Sequence, residues 1–300
     1  MPVVSRKNAD RQFESKMASI GLPREGEVAL LSFIAYFTLT LTLTGRQSLE
    51  SIWNFSTSLF FLALGLSVTF ITPHSGVAKR AGFLGSVFGI SVVLIVNSSI
   101  LRYLGWYLAS LSFFHFSEYM MVSIYNPRTL SMDSFLLNHS PEYKIAAVAS
   151  WMEFAIERLL FPGLKGYFLI SFVGIVFMIG GDFVRKLAMI TAKSNFTHLV
   201  RYHRVDEHVL VTGGIYAWCR HPAYVGWFFW SIGTQMTLCN PICFVGYAYA
   251  SWKFFKERIF EEEILLLQFF EQEYVKYQKK VGTGLPFIKG CILDDFAKDK

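Results

Sequence analysis

Apolar runs long enough to cross a bilayer recur through most of this 300-residue chain, and little else constrains its fold so strongly. Runs of this kind lie at 27–44, 51–72, 81–100, 106–125, 142–161 and 167–189. Two shorter ones follow at 224–238 and 242–255, broken by Asn240-Pro241, and read as a helical hairpin with its tip at that break. The expected fold is therefore an all-α polytopic membrane protein of about eight transmembrane helices, counted by the roughly 20-residue criterion. Composition agrees. Charged residues make up 17% of the chain, where a soluble domain carries roughly a quarter, and Phe alone occurs 30 times. Gly82, Gly85 and Gly89 in the third run provide positions for close helix packing.

The formal net charge of +6 does not point to nucleic acid, because its positives punctuate the apolar runs. Arg6, Lys7, Arg11, Lys16 and Arg24 precede the first run, Lys79 and Arg80 follow the second, and Arg185, Lys186, Lys193, Arg201 and Arg204 follow the sixth. With an even number of spans, the positive-inside rule predicts both termini in the cytosol. Polar residues 1–26 predict no cleavable signal, so that the first span directs insertion. The four cysteines form no CxxC pair and read as free thiols, with no metal site. The expected layout is a cytosolic segment 1–26, transmembrane helices in 27–192, a core of hairpin and cytosolic helix in 193–290, and a tail 291–300.

Charges within apolar runs are costly. His115 and Glu118 lie in the fourth, Glu153, Glu157 and Arg158 in the fifth, and Asp182 and Arg185 in the sixth. Interhelical pairing is the ordinary explanation for each, and none alone names a reaction. The densest polar signal comes later, as Arg220-His221-Pro222 before the hairpin and Arg258 with Glu261-Glu262-Glu263 after it. Each element also has a plain structural reading: Pro222 as a helix start, Arg220 as a membrane anchor, Arg258 and Glu262 as an i,i+4 surface pair. A hairpin nevertheless returns both clusters to one cytosolic boundary. There His221 and Glu262 suit the polar parts of a soluble cofactor, and Arg258 offers a planar fork for a carboxylate or phosphate. Physics reaches a membrane-embedded site for an anionic amphiphile.

At these residues the sequence resembles the isoprenylcysteine carboxyl methyltransferase family. The hallmark is Arg220-His221-Pro222, Gly226 and a Glu pair placed at Glu261-Glu262; further matches include Ser194-Asn195-Phe196, Tyr216-Ala217-Trp218, Cys239-Asn240-Pro241 and Thr283-Gly284-Leu285-Pro286-Phe287. Upstream, Ser117-Glu118-Tyr119 and the stretch from Asp133 to His139 also match, so that the resemblance covers roughly 80–290. It implies methylation of the C-terminal α-carboxylate of prenylated cysteine in CaaX proteins, small GTPases among them, with S-adenosyl-L-methionine as methyl donor and a location in the endoplasmic reticulum membrane. The lipid would enter from the bilayer. The implied cofactor contacts are Arg201, His208, Val209, Leu210, Val211, Tyr216, His221, Pro222, Ala223, Tyr224 and Glu262, with Arg258 as the catalytic group holding the substrate carboxylate; no metal is implied. Arg201 differs from the residue usual in the family, so a backbone contact is implied there. The alternatives are a phospholipid-amine methyltransferase, a sterol reductase, and a non-enzymatic lipid transporter. An amine acceptor calls for a base where Arg258 stands, a nicotinamide cofactor calls for clustered phosphate-binding positives, and a transporter is expected to show internal repeats.

Overall fold

The computed structural model describes residues 22–44, 65–67, 69, 73–99, 101–137, 141–200, 202–204 and 208–291. The run at 51–72 falls outside them except at 65–67 and 69, as do Arg201, Asn138 and His139, all of 1–21, and all of the tail except Cys291. Among these residues seven long helices carry the fold: α1 (Arg24–Thr44), α2 (Ser75–Asn97), α3 (Arg102–Tyr125), α4 (Pro141–Leu160), α5 (Phe168–Ala192), α6 (Pro222–Thr237) and α7 (Pro241–Gln278). Among the described residues no strand occurs. By length and apolarity, α1, α2 and α5 with its 3-10 extension to Asn195 qualify as membrane spans. Helix α6 has 16 residues, short of the roughly 20 a span needs, and α3 and α4 interrupt their apolar faces with buried charge.

Helices approach closely where glycine removes the side chain. A Cβ on Gly85 of α2 would stand 2.3 Å from the Phe33 carbonyl oxygen of α1, and one on Gly82 would stand 2.7 Å from the Tyr36 ring. The α5–α6 crossing uses the same device. Gly174 and Gly181 on α5 face Gly233 and Gly226 on α6, and a Cβ on Gly226 would lie 2.5 Å from the Gly181 oxygen. Small residues spaced seven apart on both helices thus bring two backbones together.

The hairpin tip stands on buried charge. Cys239 adopts the left-handed conformation (φ +50°) and Asn240 is almost wholly buried. Lys165 Nζ donates to the Leu238 and Cys239 carbonyls at 3.1 and 2.9 Å, placing a cation on the C-terminal end of α6. Glu153 accepts the Ile242 and Cys243 amides at 2.7 and 2.6 Å, placing an anion on the N-terminal end of α7. Each charge complements the helix dipole it meets and satisfies groups the helix leaves unpaired. Glu157 completes the cluster at 2.6 Å from Lys165.

The second arm corrects an expectation. It does not end near residue 255 but continues as α7 to Gln278, with one non-helical residue at Glu271 (φ +43°). After Gly246 the sequence holds neither Gly nor Pro as far as Gln278, and its Lys, Glu, Leu and Gln residues are good helix formers. Loss of hydrophobicity after residue 255 therefore does not mark where α7 stops.

Candidate active site

The N-terminal end of α6 and the middle of α7 meet beneath a C-terminal segment that folds back over them. Pro222 opens α6 at its first turn, where a missing amide costs nothing. The two residues before it pair through their backbones with the returning segment: Arg220 N–H to the Gly282 carbonyl at 2.9 Å and His221 N–H to Thr283 at 3.2 Å. The Arg220 side chain reaches farther along the same segment, to the Val281 and Lys289 carbonyls.

Glu263 lies at the centre of this clasp. Its Oε1 accepts from Arg220 Nε (2.7 Å) and Tyr274 Oη (3.0 Å) and lies 3.0 Å from His221 Nε2. Its Oε2 accepts from the Cys291 amide (2.8 Å) and Gln278 Nε2 (3.1 Å). Burial alone would raise the pKa of this carboxyl; the His221 contact and the Arg220 charge outweigh it and hold the group down at about 2. Gly290 passes directly over it in a left-handed conformation (φ +80°), and a Cβ there would stand 1.9 Å from Glu263 Oε2. Glycine is required at that point both by conformation and by space.

One residue earlier, Glu262 turns to a different surrounding. It accepts from Tyr224 Oη at 2.6 Å, and Arg258 Nε approaches the same phenol at 3.4 Å. Arg258 Nη2 donates to the His198 carbonyl at 3.1 Å. Glu261 instead lies toward the surface and accepts Tyr202 Oη at 2.5 Å. Glu262 thus lines the cavity and Glu263 is buried, while Glu261, the first residue of the motif's Glu pair, does neither. A run of three glutamates does not reveal which two face inward until the helix phase is known.

A single cavity opens beside Glu262. Its wall includes His208 to Val211, Tyr216, His221 to Tyr224 and Glu262, together with the stretch 195–200 and an apolar floor that includes Trp227, Leu266 and Phe270. Ten of the eleven expected cofactor residues line it; Arg201 lies outside the described residues. Counted out through its mouth to open solvent, the space is ≈ 1120 Å³. Arg258 stands behind this wall, joined to it through Tyr224 and His198. Burial, then Glu262, raise the Tyr216 pKa, so that its phenol stays protonated over the ordinary pH range. Gly214 makes the turn before Tyr216 at φ +59°, with Thr191 packed where a Cβ would sit.

Sequence reasoning missed three parts of this site. Glu263 is one of three consecutive acids, and sequence alone does not separate it from its neighbours. Arg185, which the sequence marks only as a charge in an apolar run, lines the cavity, stacked 4.6 Å from the Trp227 ring. The returning segment, matched as Thr283-Gly284-Leu285-Pro286-Phe287, supplies carbonyls that hold Arg220 and His221.

Fold and cavity together define a membrane protein, helical throughout its described residues, with a pocket of mixed polar and apolar lining at the base of a helical hairpin. The isoprenylcysteine carboxyl methyltransferase (ICMT) family profile matches residues 173–268. The protein-S-isoprenylcysteine O-methyltransferase of Xenopus laevis is 49% identical over 287 residues, which are 93% of this chain and 100% of that protein. The Homo sapiens protein of the same name is 47% identical over 271 residues, 90% of this chain and 95% of that one. A solved structure described as the eukaryotic intramembrane Ras methyltransferase ICMT superposes with a TM-score of 0.83 at 42% identity, covering 90% of this chain and 100% of that chain. This chain belongs to the isoprenylcysteine carboxyl methyltransferase family.

Proposed function

We propose that the protein methylates the C-terminal α-carboxylate of isoprenylated cysteine, taking the methyl group from S-adenosyl-L-methionine bound in the cavity beside Glu262. The observation that carries this reading is the convergence of ten cofactor residues on one cavity, with Arg258 held against its wall through Tyr224. The donor set fits that cofactor: a carboxylate for a hydroxyl or amine, aromatic faces at Tyr216 and Tyr224 for a cation, and irregular backbone at 208–211. When bound, the cofactor supplies a methyl carbon already activated by a sulfonium. The acceptor carboxylate, with an ordinary pKa of roughly 3.3–3.7, is ionised at neutral pH, so no residue has to act as a base. The protein's part is then to orient and to exclude water. Arg258 holds the carboxylate through its planar fork, the wall carrying Tyr224 and Glu262 fixes the cofactor side, and Trp227, Leu266 and Phe270 keep the cavity floor apolar.

The same reading sets the protein in the endoplasmic reticulum membrane with about eight membrane segments and both termini cytosolic. Residues 27–192 supply six of those segments and 193–290 the methyltransferase core. The cofactor enters from the cytosol and the prenyl chain from the bilayer. The acceptors are C-terminally prenylated proteins of the small-GTPase type.

Arg258 is the residue to test. Arg258→Ala is expected to abolish methylation of a farnesylcysteine analogue, and Arg258→Lys, which keeps the charge but loses the fork, to lower kcat/KM at least about tenfold, on the order of 1.4 kcal/mol. S-adenosylhomocysteine titrated into the same preparations should bind as it does to wild type. Wild-type turnover in Arg258→Ala would refute the carboxylate-clamp reading. Failure of wild type to bind S-adenosylhomocysteine would refute the cofactor.

A further inference from the structure

Glu118 on α3 is wholly buried yet is engaged by four donor groups. Arg185 Nε and Nη2 each donate to it at 2.7 Å and Lys186 Nζ at 2.5 Å, and His198 Nε2 lies at 2.7 Å. The first three come from α5 and already neutralise the carboxylate; Lys186 is shared with Asp182 at 3.0 Å. His198 belongs to no helix. It lies in the irregular stretch 196–200, which forms one wall of the cavity, and its own carbonyl is the group that accepts Arg258 Nη2 at 3.1 Å.

These contacts form an unbroken line from a buried carboxylate through the cavity wall to the arginine: Glu118, the His198 ring, the His198 carbonyl, Arg258. The other described hold on that guanidinium, Tyr224 Oη, is longer at 3.4 Å. Nε and Nη2 are thereby engaged, and Nη1 has no partner among the described residues. An arginine gains orientation only when its fork is fixed, and a loop carbonyl fixes it only as well as the loop itself is fixed.

We infer that Glu118 and His198 are positioning residues for the methyl transfer: Glu118 anchors the 196–200 stretch through the His198 ring, and that stretch sets the orientation in which Arg258 meets the substrate carboxylate. The inference rests on the carboxylate-clamp reading of Arg258. Neither residue has to touch substrate for this role. The surrounding elements supply rigid references, since Asn126 Nδ2 also ties the Phe196 carbonyl at 3.0 Å and Arg185 packs on Phe114 and Trp227.

The test uses full-length protein in lipid nanodiscs, with steady-state kinetics on a farnesylcysteine analogue. Glu118→Gln exposes Arg185 and Lys186 to the loss of a buried partner and is vulnerable to misfolding, so the decisive variants are at His198, which leave Glu118 paired with α5. His198→Ala is expected to lower kcat/KM about tenfold, mostly through a raised KM for the prenylcysteine. His198→Gln, whose side-chain amide retains an N–H donor for Glu118, should recover to within about threefold of wild type. In an Arg258→Lys background, His198→Ala should cost less than about threefold, because the group it orients has already lost its fork. The inference is overturned if His198→Ala turns over with wild-type kcat/KM, if His198→Gln fails to rescue, or if the full tenfold loss persists beside Arg258→Lys. If Arg258→Ala retains wild-type turnover, it is instead the clamp reading that has failed.

Discussion

Two adjacent glutamates should fail in opposite ways. Glu263→Ala removes a wholly buried carboxylate that receives Arg220, Tyr274, Gln278 and the Cys291 amide and is paired with His221. Truncating one partner of a buried ion pair typically costs about 3–5 kcal/mol. Arg220 keeps its bonds to the Val281 and Lys289 carbonyls, and Gln278 Nε2 keeps its bond to the Cys291 carbonyl, which moderates the loss toward about 3 kcal/mol; the stranded Cys291 amide adds to it, at roughly 1 kcal/mol. Glu262→Ala removes a half-buried carboxylate whose described protein hydrogen bond is the one from Tyr224, so its cost to stability should be about 1 kcal/mol. Its cost to the cofactor is larger. Loss of a hydrogen bond to a charged group is worth about 1.5–3 kcal/mol, or roughly 10- to 150-fold in affinity. Denaturant unfolding in detergent gives the first quantity and calorimetric titration with S-adenosylhomocysteine the second. The reasoning is refuted if Glu263→Ala unfolds like wild type, or if Glu262→Ala binds the cofactor product with wild-type affinity while folded.

The remaining predictions concern charge at the clasp and at the hairpin tip. Because the Glu263 carboxyl titrates at about 2 in the folded protein, below its ordinary value near 4.5, its contribution to stability is complete above about pH 4.5 and disappears as pH falls toward 2. The difference in unfolding free energy between wild type and Glu263→Gln should therefore shrink from about 3 kcal/mol at pH 5 toward zero at pH 2, and a constant difference would contradict this. Lys165→Met should destabilise the protein by about 3 kcal/mol, because it strands Glu157 and the last carbonyls of α6 together; limited proteolysis near the tip would report the loosening, and unchanged cleavage would argue against the cap.

The helices at 27–44, 81–100, 106–125, 142–161 and 167–189 were legible because apolar periodicity and flanking polar residues mark them, and α1 to α5 recover those runs with boundaries shifted by at most six residues. That residues 208–211 and Glu262 line one cavity was legible only through the motif, since nothing in their spacing requires them to meet. Glu263 was not legible. Its neighbours have the same charge, and helix phase is absent from a run of identical residues. Lys165 was hidden for another reason. It follows Pro162-Gly163 in a short connection, where a lysine reads as solvated, and its role appears only once the ends of α6 and α7 are seen to converge on it.

The division between Glu262 and Glu263 follows from the geometry of α7. Consecutive residues of an α-helix lie about 100° apart, while i and i+4 share a face. Phe255, Ile259 and Glu263 accordingly form one stripe, 2%, 0% and 0% exposed, of which the first two pack into the apolar core under the hairpin. Arg258 and Glu262 form the neighbouring stripe, which faces Tyr224. A carboxylate at the third position of a core stripe is tolerable only with a fixed set of donors around it. Arg220 and His221 supply two of them from the threshold of α6, and the returning segment supplies a third through Cys291. The clasp on Glu263 thus fixes the rotation of α7 relative to the start of α6. That rotation brings Glu262 to the cavity wall and Arg258 to the carbonyl of His198, so the first two residues of the Arg-His-Pro motif, besides lining the cavity, hold the phase of the helix that carries these charges.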